Sequence, residues 1–194
     1  MFVALGLPEE VKAEVERAQS ELRGGLEGAR VTWTRREQFH LTLKFLGDVE
    51  AERAGALVEA VRAACRDGGV LRLRAEGVGC FPDLRRPRVV WVGVKDTGGA
   101  LGRLQRAVES ACGAFAAERE GQRFSGHVTL CRIKSLAGPE AEGLAGRVGG
   151  MAARSFGEWT AVEVEVMRSE LSPQGARHSV LAGVPIGGRV EGGL

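Results

Sequence analysis

"FHLTLKFLGDVE" occupies residues 39–50, and "GHVTLCRIK" occupies residues 126–134. Both place H-x-T-L in an apolar run, His40 to Leu43 in the first and His127 to Leu130 in the second. Short runs rich in Leu, Val, Ile, Phe and Thr read as strands. Strand side chains alternate between faces. His40 and Thr42 then share one face, roughly 7 Å apart at a rise of ~3.3 Å per residue. Leu41, Leu43 and Phe45 share the other. In the second run His127 and Thr129 share a face, while the same alternation sends Val128, Leu130 and Arg132 to the opposite one. One face is greasy and anchors the strand. The other presents an imidazole beside a hydroxyl. A single strand histidine is usually a structural, hydrogen-bonded one. Here two of the chain's three histidines stand in the same tetrapeptide, one in each half, and coincidence is a poor account of that.

Two such strands facing a common cleft offer two imidazoles and two hydroxyls. Histidine titrates near neutrality, so one ring can act as base and the other as acid. That pair suits in-line attack at phosphorus. One histidine takes a proton from the attacking oxygen and the other protonates the leaving oxygen, each role being worth about 10²- to 10⁴-fold. The hydroxyls can donate to the non-bridging oxygens, where charge gathers. A metal site fits poorly, because no Asp, Glu or Cys spacing converges with the two histidines. No G-x-x-x-x-G-K-[ST] phosphate cradle is present either, so neither metal nor cofactor is expected.

Outward from these runs, strands and helices mix. "MFVALGL" reads as a strand, with Pro8 at the first turn of a helix carrying Val11, Val15, Ala18 and Leu22. Gly24 and Gly25 stop it. A second helix runs from about Ala51 to Arg66, and strands cover 70–79 and 88–94. Thr97 can cap a third helix bearing Leu101, Leu104, Val108 and Cys112. Residues 138–151 read as a weak helix broken by glycines. "WTAVEVEVMRSEL" alternates Val162, Val164 and Val166 with Glu163 and Glu165, the mark of a half-exposed strand. A last strand covers about Arg177 to Pro185, and "IGGRVEGGL" reads as a loose tail. The strand–helix pattern occurs twice with no low-complexity linker between the rounds. It predicts a protein of mixed strands and helices, with two similar lobes packed as a single domain over residues 1–194.

The 194 residues suffice to bury a sizeable core. Net charge is only +2, so any nucleic-acid contact must come from a local patch. Arg85, Arg86 and Arg88 in "DLRRPR", and Arg35 and Arg36 before the first motif, are the clusters on offer, with solvated surface the alternative reading of each. Phe81, Trp33 and Trp91 can stack bases, but core burial is the favoured reading, above all for Trp91 inside an apolar strand. No apolar run reaches the ~20 residues of a spanning helix, and the N-terminal stretch does not fit a signal peptide. A cytosolic, monomeric protein is expected. Cys65, Cys80, Cys112 and Cys131 form no CxxC pair and read as reduced core residues.

The tandem tetrapeptides "HLTL" at 40–43 and "HVTL" at 127–130 resemble the 2H phosphoesterase superfamily. "HLTLKFLGDV", "GVGCFPDLRRPRVVWVGV" and "SELSPQGARHSVL" narrow the likeness to the bacterial and archaeal RNA 2′,3′-cyclic phosphodiesterases, formerly called 2′–5′ RNA ligases. The resemblance implies an α+β fold of two pseudo-symmetric lobes, each with an antiparallel sheet and outer helices, around a central cleft lined by the H-x-T strands. It implies metal-independent hydrolysis of RNA 2′,3′-cyclic phosphate ends, or of cyclic nucleotides, to 2′-phosphates. His40 matches the family's proton donor and His127 its proton acceptor. Thr42 and Thr129 match the threonines that hold the phosphate. Arg132 matches an arginine that meets the phosphate, a role that strict alternation opposes unless the strand twists, bulges or ends there. Two positions depart from the family pattern. Gly126 stands where Pro is frequent, and His178 stands where Tyr is usual, as an aromatic at the core edge or a base-stacking group. Three rival readings remain open: action on small cyclic nucleotides or 2′–5′ oligonucleotides, nucleotide binding without turnover, and reversible RNA joining.

Overall fold

The computed structural model describes residues 1–116, 124–172 and 175–187. Its elements are β1 (Phe2–Gly6), α1 (Glu9–Arg23), β2 (Arg30–Trp33), β3 (His40–Phe45), α2 (Ala54–Cys65), β4 (Leu71–Phe81), β5 (Val89–Lys95), α3 (Ala100–Ala111), β6 (His127–Ser135), α4 (Gly138–Gly150), β7 (Ser155–Ala161), β8 (Glu163–Ser172) and β9 (Gly175–Pro185). The strands pair antiparallel in the order β7-β4-β5-β6-β3-β1-β8-β9, with β2 added against β6. β3 and β6 share a single register pair, Leu41 opposite Val128. That thin seam divides the sheet into two halves, and the fold is α+β with pseudo-symmetric lobes.

The chain order explains the symmetry. β1-α1-β3-α2-β4 and β5-α3-β6-α4-β7 are two rounds of one pattern. In each round the first helix crosses to the other half: α1 covers β7, and α3 covers β3. The second helix stays with its own half or its flank, α2 against α3, β8 and β9, and α4 against α1 and β4. The lobes therefore interlock. The buried faces of all four helices and both half-sheets form one continuous apolar cluster. Fully burying each such Leu or Val contributes about 1.5–3 kcal/mol.

Most sequence expectations for single elements hold, and the exceptions have physical causes. Pro8 stands at the N-cap of α1, one place before the first turn. Thr97 does not cap α3. Gly99 takes a left-handed turn (φ 67°), and the Asp96 carboxylate accepts the Ala100 N–H at 2.5 Å. α4 is continuous despite its glycines, because buried Leu144 and Val148 anchor it and packing outweighs propensity. The Glu140 carboxylate accepts the Ala137 N–H at its start. "WTAVEVEVMRSEL" is two strands, not one. Val162 falls at the break between β7 and β8 and is 70% exposed, while Val164 and Val166 are buried. The sequence does not predict β2, since four residues are too few for a periodic signal. Of the predicted tail, residues 188–194 lie outside the described residues. All four cysteines are buried and unpaired, and burial pushes their thiols up to about 11 or 12, away from reactivity. Among the described residues, no helix is long and apolar enough to cross a membrane.

Candidate active site

Both motif strands carry a bulge at the same place. In β6, Trp91 pairs with Thr129 but Val90 pairs with Cys131, so Leu130 is an extra residue. Leu130 and Cys131 are then buried in succession, and the alternation changes phase. Arg132 consequently lines the same cleft as His127 and Thr129. The face assigned to Arg132 by strict alternation is thus wrong, for this reason. In β3, Ala4 pairs with Thr42 but Val3 pairs with Lys44, so Leu43 is the extra residue. Lys44 turns inward and is 1% exposed, while Phe45 turns into the cleft and is 51% exposed. The expected grouping of Phe45 with Leu41 and Leu43 fails the same way. A buried ammonium requires a partner, and the Glu109 carboxylate of α3 lies 2.6 Å from Lys44 Nζ.

The histidines sit alike. His40 Nδ1 is 2.7 Å from the Gln38 carbonyl, and His127 Nδ1 is 2.7 Å from the Ser125 carbonyl, each two residues back. A carbonyl can only accept, so Nδ1 carries the proton in both rings and Nε2 is left as the basic nitrogen. Each ring rests on an aromatic. Phe2 stacks on His40 at 4.8 Å, and Phe81 meets His127 edge-on at 5.0 Å. Burial holds His40 down at about 4, against the pull of the Gln38 carbonyl, with the neighbouring His178 and His127 charges lowering it further. Burial also lowers His127; the Ser125 carbonyl opposes this, and the Arg132 charge adds to it.

Both histidines, both threonines and Arg132 line one cleft of about 630 Å³. Two histidines flanked by two hydroxyls and a guanidinium in one cleft are equipped to move two protons around an anion. The family model described as LigT like Phosphoesterase matches twice, over residues 5–91 and 92–178. The chain belongs to this family. An RNA 2′,3′-cyclic phosphodiesterase of Methanothermobacter thermautotrophicus is 33% identical over 177 residues, 90% of this chain and 91% of that one. One from Geobacillus stearothermophilus is 33% identical over 131 residues, covering 68% of this chain but 41% of the relative. A Thermus thermophilus protein of solved structure superposes with a TM-score of 0.77 at 28% identity, covering 97% of this chain and 98% of its own.

Against the LigT-like pattern, the departures have structural reasons. A Cβ at Gly126 would stand 2.5 Å from the Val94 carbonyl, whose own N–H donates to the Gly126 carbonyl. β5 comes too close here for any side chain. His178 lines the cleft, edge-on to Phe2 at 5.0 Å and to His40 at 5.6 Å, so it is an aromatic wall of the site. Pro173 and Gln174 of "LSPQGARH" lie outside the described residues.

The basic clusters divide. Arg35 lines the cleft, but Arg36 pairs with Glu9 and Glu16 at 3.0 Å each and ties the motif to α1. Arg85, Arg86 and Arg88 lie in an exposed loop, where the Asp83 carboxylate accepts the Arg85 and Arg86 N–H groups. Trp91 is half-buried beneath His127 rather than in the core. Sequence reasoning offers Trp33 as a base-stacking candidate but misses the strand β2 that brings it to the cleft. Thr32, Trp33 and Thr34 form one wall, with the Arg23 guanidinium 4.7 Å over the Trp33 ring. Four residues between a glycine-rich turn and the first motif carry no signal that would have found it.

Proposed function

We infer that this protein hydrolyses RNA 2′,3′-cyclic phosphate ends to 2′-phosphate ends, working as a monomeric single domain without metal or cofactor. The observation that carries the reading is the duplicated histidine geometry: two rings on matching bulged strands, Nδ1 held by a carbonyl, Nε2 basic, sharing one cleft with Arg132. In the forward step a water attacks phosphorus and the bond to O3′ breaks. His127 Nε2 takes the proton from water, and His40 Nε2 gives one to O3′. The Arg132 charge beside His127 favours its neutral, basic form, which suits the acceptor role. His40 must react in its protonated form. Burial alone disfavours that form, and the phosphate anion reverses the balance by stabilising the imidazolium. Thr42 and Thr129 donate to the non-bridging oxygens, and Arg132 adds a charge-assisted contact that can be bidentate. A 5′-hydroxyl in place of water runs the same groups toward 2′–5′ joining.

The test is incubation with an oligonucleotide ending in a 2′,3′-cyclic phosphate, with chelator present, followed by identification of the new terminus. A 2′-phosphate is expected. A 3′-phosphate, an intact cyclic end, or a need for added divalent ion overturns the reading. A parallel reaction with a 5′-hydroxyl oligonucleotide reports joining.

A further inference from the structure

Among the described residues, only two polar side chains are buried, Gln19 and Lys44. Each attaches to one of the two bulges. Lys44 belongs to the β3 bulge and reaches Glu109 on α3, the helix that crosses from the other half. Gln19 lies on α1, the crossing helix of the first round, and reaches the β6 bulge. Its Nε2 donates to the Leu130 carbonyl at 2.9 Å and to the Thr34 carbonyl at 2.7 Å. Its Oε1 accepts from Arg23 Nη2 at 3.0 Å. Carbonyls cannot donate and a guanidinium cannot accept, so these partners settle which end is the amide nitrogen. Leu130 is the extra residue of the bulge, and its carbonyl also accepts the Thr34 N–H at 2.9 Å.

We propose that Gln19 is a positioning residue for phosphate binding: by holding the bulge at Leu130 it keeps Arg132 on the cleft face. The inference rests on Arg132 meeting the phosphate, as in the function proposed above. A bulge adds one unpaired residue to a ladder and persists where something else satisfies that residue's backbone. The Thr34 N–H gives the Leu130 carbonyl one donor, and Gln19 supplies the second from 111 residues away in sequence, tying the bulge to α1. It also pins Thr34, so a single carboxamide joins the β2 wall of the cleft to the strand carrying His127, Thr129 and Arg132. Without the donor, the register around Leu130 loosens, and Arg132 loses its fixed place. His40, on the other motif strand, keeps its own carbonyl partner.

The experiment is a double-mutant cycle read on two scales. Gln19→Met removes the amide at similar length, and Gln19→Asn keeps an amide one methylene short of its partners. Each is made alone and with Arg132→Ala. Inorganic phosphate binding is followed by tryptophan fluorescence, since Trp33 lines the cleft, and kcat/KM is measured on a cyclic-phosphate oligonucleotide. Gln19→Met is expected to weaken both by about 10-fold, as misplacement of a contact by a fraction of an ångström does. In the Arg132→Ala background the same change should cost less than about 2-fold, because interacting residues are non-additive. Equal losses in both backgrounds would show that Gln19 only supports the fold, and would overturn the proposal. If Gln19→Met does not fold, Gln19→Asn carries the same cycle with the same two outcomes. Phosphate binding unaffected by Arg132→Ala also overturns it. Wild-type protein that binds phosphate through Arg132 and Gln19 but leaves cyclic ends intact overturns the proposed function and leaves this inference standing.

Discussion

The two motif strands share a backbone plan and differ in the residues just beyond it. Both bulge at the fourth residue of H-x-T-L, and both hold the histidine by the carbonyl two residues back. At the residue after the bulge, β3 has Lys44 and β6 has Cys131, both buried. One residue further, β3 turns Phe45 into the cleft and β6 turns Arg132. Each histidine has aromatics against it, Phe2 on His40 and Phe81 and Trp91 on His127, and the first half adds Phe45 and His178. The second half puts a permanent cation beside its histidine. A duplicated frame supplies two equivalent imidazoles, and the residues around them, above all Arg132 beside His127 and His178 beside His40, make them chemically unequal.

The largest effect is expected from removing either imidazole, which tests the shared frame before its unequal surroundings. His40→Ala and His127→Ala are each expected to cost at least ~10²-fold in kcat/KM with melting close to wild type, as expected for loss of one acid–base group. Near-wild-type turnover by either variant would remove it from the mechanism. Arg132→Ala should come next, with a loss of about 10- to 10²-fold, in line with removing a charge-assisted contact. Its pH–rate profile should stay bell-shaped, because a guanidinium does not titrate near neutrality. Loss of one limb would mean that the substitution had disturbed a histidine. Phe45→Ala should have a smaller effect, about 3- to 10-fold and mainly in KM for oligonucleotides, in keeping with loss of one stacked base. An equal loss for a cyclic-phosphate substrate lacking a base would show that Phe45 supports His40 instead.

The smallest expected effect is on stability. An unfolded histidine titrates near 6.5, and burial holds folded His40 at about 4. Between these values the unfolded chain binds a proton that the folded chain refuses. Stability from neutral His40 is therefore complete above about pH 6.5 and declines as pH falls toward 4. His40→Gln, which cannot titrate, should lose melting temperature less steeply than wild type over that window. Parallel curves would mean that the ring is not buried as described.

Much of the site is legible in the sequence. The tandem tetrapeptides locate His40, Thr42, His127 and Thr129 and put each pair on one strand face, because two-residue alternation is a local rule. Most helices are legible for the same reason, with Val11, Val15, Ala18 and Leu22 spaced for one buried stripe. Alternation misplaces Phe45 and Arg132 because a bulge is not a local property. It depends on the register against the neighbouring strands, β1 for Leu43 and β5 for Leu130, and no periodicity within the strand announces that register.

The sequence by itself determined the duplicated pattern, the two histidine–threonine faces and the family, since each depends on short-range spacing or on motif order. Tertiary structure alone decided three things. It decided which way Arg132 and Phe45 point, through the register shifts against the paired strands β5 and β1. It decided that Lys44 is a core residue, because Glu109 is brought to it from 65 positions away. It decided that both histidines titrate below their ordinary value, because a pKa depends on the surroundings of the ring, and burial is a property of the folded chain.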